Sequence, residues 1–254
     1  MSKKISRRKF ARSAAVGTGS IVALSYAPER ARASDGDNDT WNWEDKANVY
    51  PYEHHISVCL EHLQTTYYED EDYYEYKFNI SSDGVSHDGS ENERRDLSRS
   101  FIKFKKGDTV CDNNITTYYT PDKKVTGFYP KDDDNDEALE EVTQALDTAV
   151  SVINAKYAWA SGAASIAENL INVLTVSNDE EWDKIFRRIY DKRYAEVSHH
   201  TKIIIEYDNN CQNDRYQAEQ VVRCQIGSAI VEFKIIIDDN SYGSPQISAK
   251  RTNS

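Results

Sequence analysis

From Glu137 to Val176 the apolar positions Leu139, Val142, Leu146, Ala149/Val150, Ile153, Tyr157, Ala160, Ala164, Ala167, Ile171 and Leu174 alternate between steps of three and four. That is the helical period, and it predicts the long helical stretch at the centre of the chain. The Asp132 to Asp136 run marks its entry. Side-chain oxygens there can accept from free first-turn amides, and negative charge suits the positive end of the helix dipole. Ser161-Gly162 is the weak point, since glycine costs about 1 kcal/mol against alanine inside a helix. One continuous helix and a kinked or hairpin arrangement both fit.

The flanks follow a period of two instead. Ile56, Val58, Leu60 and His62 alternate with Ser57, Cys59 and Glu61, and Tyr74, Tyr76, Phe78 and Ile80 alternate with Glu75, Lys77 and Asn79. Each run is a strand with one buried face, and the intervening Glu69-Asp70-Glu71-Asp72 makes them an antiparallel hairpin. Ser81 to Ser100 reads as a charged loop, followed by short strands at Phe101–Lys105, Ile115–Thr120 and Val125–Tyr129. Beyond the centre, Ser177-x-x-Glu180 is a capping box that predicts a second helix with Trp182, Ile185, Phe186 and Ile189 inward and a basic far end. Glu196–Asp208 and Gln217–Asp238 form the second β flank. A type II′ turn at Gly227-Ser228 would set Cys224 opposite Val231, Val222 opposite Phe233 and Arg223 opposite Glu232, giving one apolar and one charge-paired face. The expected fold is therefore α+β, with antiparallel hairpins flanking and packed on a central long helix or helical hairpin plus a second helix.

Residues 1–33 read as an export signal. Arg7-Arg8 stands before Phe10, an uncharged and mildly apolar stretch follows, and Ala31-x-Ala33 is a small-x-small cleavage site. The order of these parts resembles the twin-arginine signal, which implies the twin-arginine translocase as an export partner and a secreted product cleaved near Ala33. The apolar part is too short for a permanent membrane anchor. Residues 34–48 read as an acidic flexible leader that docks through Trp41 and Trp43, and 49–254 as a single domain.

Removing the signal alters the charge balance. Residues 1–33 carry eight of the 31 Lys+Arg and one of the 43 Asp+Glu, which leaves 23 against 42 and a formal charge of −19. Ordinary domains carry a charge magnitude of about 2 to 8, and such an excess is tolerable where salt screens it within about 3 Å at 1 M. Together with the Arg pair this resembles a secreted protein of halophilic archaea. The same charge argues against nucleic acid as a partner.

Candidate chemistry is sparse. Cys59, Cys111, Cys211 and Cys224 all follow the signal, so two disulfides are expected among three possible pairings. Joining loop to loop and strand to strand favours Cys111 with Cys211 and Cys59 with Cys224. Asn38, Asn79 and Asn114 begin N-x-S/T sequons and are glycosylation candidates. His54-His55 and His62 share one strand and His199-His200 another, but neighbours on a strand point to opposite faces, so only one of each pair can serve a given site. No metal set and no cofactor is predicted. Asp132, Asp134 and Asp136 imitate the start of a calcium loop without its glycine and closing glutamate. The chain contains no G-x-S-x-G, no H-E-x-x-H and no glycine-rich phosphate loop, so no catalytic residue is assigned.

In layout the chain resembles the larger halocins, secreted antimicrobial proteins of halophilic archaea. The Arg7-Arg8 signal, the β-rich first half with its Cys111-Asp112-Asn113-Asn114 loop, the small-residue centre Ala158 to Ala167 and the β-rich close carry this resemblance. It implies a protein that damages competitor envelopes through transient membrane contact, with Val142 to Val176 as the membrane-active element. The residues themselves point first to an exported, salt-adapted, non-catalytic binding module, secreted or surface-associated, with Tyr67, Tyr68, Tyr73 and Tyr74 as contact area. A secreted hydrolase is the third reading.

Overall fold

In a computed structural model of the chain, the alternating segments pair into two antiparallel sheets packed face to face. The structure describes residues 39–68, 70, 73–108, 115–119, 126–129, 144–156, 175–177, 181–208, 216–239 and 246–252. Sheet A contains β1 (Thr40–Val49), β2 (Tyr52–Tyr68), β3 (Tyr73–Asp88) and β9 (Glu196–Asp208) in that order, with β5 (Ile115–Tyr119) and β6 (Thr126–Tyr129) both pairing along β9. Sheet B runs β12 (Gln246–Arg251), β11 (Ala229–Asp239), β10 (Tyr216–Ile226), β4 (Leu97–Lys106), β8 (Lys184–Tyr194) and β7 (Thr175–Ser177).

The period of two decides what enters the core. Ile56, Val58 and Leu60 of β2, Tyr76, Phe78 and Ile80 of β3, and Ile203 and Ile205 of β9 face Ile102 and Phe104 of β4, Val222 and Cys224 of β10, and Val231, Phe233 and Ile235 of β11. The β10–β11 hairpin closes as expected, with Cys224↔Val231, Val222↔Phe233 and Arg223↔Glu232 in register. Gly227 takes φ 58° at the first turn position, which a type II′ turn requires and only glycine adopts cheaply. On the outer face Arg223 closes a two-point pair with Glu232, at 2.7 Å from Nε and 2.6 Å from Nη2.

Among the described residues the α+β expectation fails, because the fold is a β-sandwich with one helix, α1 (Gln144–Lys156). Of its described side chains, Ala149 and Ile153, four residues apart as the helical period predicts, are buried, and the helix lies on the outer face of β2 and β3. At Thr175–Ser177, however, the backbone is strand, so the helical period does not carry through to Val176. Residues 157–174, including Ser161-Gly162 and the Ala158 to Ala167 centre, and the Asp132 to Asp136 run lie outside the described residues.

The second predicted helix is strand β8, seated between β4 and β7. Its two faces are both partly apolar. Phe186 and Tyr190 enter the core, while Ile185 joins Trp182, Val221 and Phe101 in a small cluster on the opposite side. Apolar residues on both faces of a strand mimic a helical spacing of three and four. The charged loop assigned to Ser81–Ser100 is strand β3 as far as Asp88 and strand β4 from Leu97. The second half of the predicted leader is the edge strand β1, with Trp41 in the core and Trp43 stacked on Phe233 at 4.4 Å between ring centroids.

Alternation also undoes one predicted disulfide. Cys59 sits on the outer face of sheet A against Ala149, whereas Cys224 points into the core, so both are buried free thiols. Cys111 and Cys211 lie outside the described residues. No described helix is long and apolar enough to cross a membrane.

Candidate functional site

The outer face of sheet A carries polar side chains that burial has nonetheless removed from water. Along its middle, Asn79 Nδ2 donates to Glu61 Oε2 at 2.9 Å, Ser81 Oγ meets His200 Nδ1 at 2.8 Å, and Ser198 Oγ donates to Asp83 Oδ1 in a short contact. Burial, and then the charge of Glu196, lift the Asp83 carboxyl well above the ordinary carboxylate range. Burial and the Lys202 ammonium push His200 down to about 3. A serine beside a histidine invites comparison with a hydrolytic pair, but Asp83 bonds Ser198 rather than orienting His200. Ser81, Asp83, Ser198 and His200 are each 1% exposed or less, so no substrate reaches them in this arrangement. The row acts as a hydrogen-bonded seam across β2, β3 and β9.

At one end of the same face the seam opens into a bay of about 540 Å³. Glu53 and His55 are two residues apart on β2 and therefore share a face. His87 stands directly opposite Glu53 on β3. One ligand atom from each of the three lies within 4.8 Å of the others, and they form the group among the described residues that could hold a metal ion. Glu53 Oε2 is 3.6 Å from His55 Nε2 and 4.0 Å from His87 Nε2, and the two imidazole rings stand 4.8 Å apart at 37°. Lys156, the last residue of α1, reaches over the bay with Nζ 3.4 Å from His55 Nδ1 and 3.9 Å from Glu44 Oε2. Burial first, then the Lys156 and His87 charges, lower His55 to about 4. Its ring is neutral at ordinary pH.

His54 shows the opposite side of the same alternation. It points inward, with Nε2 3.1 Å from Asp96 Oδ2 and Nδ1 accepting from the Ser228 amide at 3.1 Å, and it fastens the β10–β11 turn to sheet A. His62 bonds Thr65 Oγ1 at 2.9 Å, and His199 is buried in the sandwich interior. Sequence reasoning separated His54 from His55 correctly, yet it missed His87 by placing it in a loop. The available signal was Glu53-x-His55, an i, i+2 pair that begins one residue before the strand predicted from His54.

A second surface lies at the far end of the β2–β3 hairpin. Tyr67 pairs with Tyr74 at 4.7 Å and Tyr68 stacks on Tyr73 at 4.5 Å and 11°. Tyr74 in turn stacks toward Tyr76 and Tyr207, so the cluster continues into the core. Tyr67 is 45% exposed and Tyr68 37%. The four expected contact tyrosines thus form two couples at one hairpin end, Tyr67–Tyr74 on the core side and Tyr68–Tyr73 on the opposite face.

The remaining sequence candidates divide by location. Asn79 is wholly buried and its amide is engaged by Glu61, so the folded protein offers no access to it for a glycan. Asn38, Asn114, Arg7, Arg8, Phe10, Ala31 and Ala33 lie outside the described residues.

No protein-family model matches the chain. None of the curated proteins matches it either. Among solved structures, it is similar to the collagen-binding domain of Erysipelothrix rhusiopathiae surface protein RspB, with 9% identity and a TM-score of 0.24 over 84% of this chain and 56% of that one. It is similar to the collagen adhesin of S. aureus with 8% identity and a TM-score of 0.22 over 88% of this chain and 83% of that one. Likenesses at these scores carry no argument about fold or ligand.

Proposed function

We propose that the chain is an exported, salt-adapted, non-catalytic binding module, delivered by the twin-arginine route and cleaved near Ala33, that meets its partner through the tyrosine end of the β2–β3 hairpin. The observation that carries this reading is the pair of aromatic couples, Tyr67 tilted against Tyr74 and Tyr68 stacked on Tyr73, in which Tyr67 and Tyr68 are 45% and 37% exposed. Tyrosine offers a large contact area with few rotatable bonds, and rings already packed together lose little further freedom on binding. The mature charge of −19 supports a working place in concentrated salt. In such a solvent long-range charge steering is screened, and short-range aromatic contact retains its strength.

Fluorescently labelled mature protein added to intact cells of halophilic archaea in concentrated KCl tests the reading. Saturable binding that leaves dye-loaded archaeal-lipid vesicles intact supports it. Absence of saturable binding to any cell surface overturns it, and leakage at micromolar protein transfers the function to the halocin-like alternative. Within that alternative's membrane-active element, α1 has Ala149 and Ile153 buried against sheet A and would have to undock to enter a lipid surface, and Thr175–Val176 is already paired in sheet B.

A further inference from the structure

The bay at the head of β2 and β3 offers a donor set that the tyrosine surface does not need. Two imidazoles and one carboxylate converge there from a single hairpin, in the pattern Glu-x-His on one strand and His opposite on the next. His87 is already oriented for ligation. Its Nδ1 donates to the Asp88 carbonyl at 2.6 Å, which leaves the Nε2 lone pair directed toward Glu53. A backbone carbonyl on the far ring nitrogen is the usual device for fixing the tautomer and the orientation of a metal-binding histidine. The carbonyl is itself steadied, because the Asp88 carboxylate accepts from the Ser90 and Asn92 amides at 2.9 and 3.1 Å and pairs with Arg94.

We propose that Glu53, His55 and His87 form a binding site for a first-row divalent metal of the Zn²⁺ class, with its remaining coordination positions open to the bay. The donor chemistry selects the metal. Imidazole nitrogen with one carboxylate suits Zn²⁺ and its neighbours, whereas Ca²⁺ and Mg²⁺ demand mostly oxygen ligands. A tetrahedral ion with bonds of about 2.0–2.1 Å holds its ligand atoms roughly 3.4 Å apart. The Glu53 to His55 and Glu53 to His87 separations are 3.6 and 4.0 Å and all three ligand atoms lie within 4.8 Å, so side-chain rotations that close the set by up to about 1.4 Å reach that value. The hairpin backbone stays in place.

Of the cations lining the bay, Lys46, Lys156 and Arg251, Lys156 is the one that stands against His55, while Arg251 pairs with Asp45 at 3.0 Å. Lys156 occupies the side of His55 away from Glu53, and Glu44 at 3.9 Å gives its ammonium a place to withdraw when the ion arrives. The Lys156 side chain is 46% exposed. Glu44 and Glu91, both lining the bay, balance the added positive charge. Lys156 thus weakens the site by like-charge repulsion without holding the metal.

The test is a titration of chelator-stripped full-length mature protein with Co²⁺ alone and with Zn²⁺ as competitor, in concentrated KCl. One equivalent of Co²⁺ is expected to bind with visible ligand-field absorption, to be displaced by Zn²⁺ and to ignore Mg²⁺. Glu53→Gln and His87→Gln should each abolish the absorption while the far-UV circular dichroism is unchanged. Lys156→Gln, an exposed change that does not threaten folding, should tighten binding roughly five- to tenfold. Absence of stoichiometric Co²⁺ binding overturns the proposal. So does binding that survives His55→Gln/His87→Gln, or an affinity that Lys156→Gln does not raise. Cell binding through the tyrosines should be unaffected by Glu53→Gln, so the two readings fail separately.

Discussion

Lowering the pH from 7 to 5 should destabilise this protein through His200 in an amount the structure sets. The ring is 1% exposed, its Nδ1 lies 2.8 Å from Ser81 Oγ, and burial with the Lys202 charge brings its pKa from 6.5 to about 3. In the unfolded chain the same ring titrates near 6.5. The unfolded state therefore takes up a proton that the native state refuses. Stability is complete above the unfolded value and falls as the pH drops from 6.5 toward 3. Each pKa unit corresponds to about 1.4 kcal/mol, so His200 alone removes about 2 kcal/mol by pH 5 and about 4 kcal/mol near pH 3. His54, His55, His62 and His199 are lowered as well, and they add to the total acid sensitivity. Comparison with His200→Gln isolates one ring, since glutamine can still bond Ser81 and carries no titrating group. Urea unfolding at fixed KCl should show the wild type losing about 2 kcal/mol more than the variant between pH 7 and pH 5. Equal losses in the two proteins would refute the burial argument.

Two further outcomes test how the layers meet. A Cβ on Gly84 would stand 2.6 Å from Ile226 Cγ2 and 3.0 Å from the His55 carbonyl oxygen, so Gly84→Ala should cost about 1–3 kcal/mol in urea unfolding, and an unchanged midpoint would contradict this sheet separation. Unfolding without reductant in the presence of iodoacetamide should alkylate both Cys59 and Cys224, and a peptide linking the two in mass spectrometry would contradict the face assignment.

The parts of the fold that were legible share one property, a single apolar face set against a polar one. In β2, β3, β10 and β11 the alternation of apolar and polar residues gave strand and face together, and the Gly227-Ser228 turn gave the register to the residue. Legibility ended where the contrast between the two faces is lost. The outer face of β3, with Asn79, Ser81 and Asp83, is polar in composition yet wholly buried, so its continuation past Ile80 looked like loop. Strand β8 erred the other way, because Trp182 and its neighbours draw Ile185 to the outer side while Phe186 and Tyr190 enter the core. The candidate metal set was hidden by the same mistake, since His87 belongs to the part of β3 that composition disguised. The tyrosine cluster needed no long-range information, because Tyr67, Tyr68, Tyr73 and Tyr74 flank one predicted hairpin end.

The most direct test of the binding account compares the mature protein with Tyr67→Ser/Tyr68→Ser in a cell-surface binding isotherm at constant high salt. These rings end a hairpin and are 45% and 37% exposed, so the variant should keep its thermal midpoint within a few degrees. Loss of central aromatic contacts costs about 2 kcal/mol or more, so its affinity should fall roughly thirtyfold. An isotherm that coincides with that of the wild type would contradict the assignment of the tyrosine end as the contact surface.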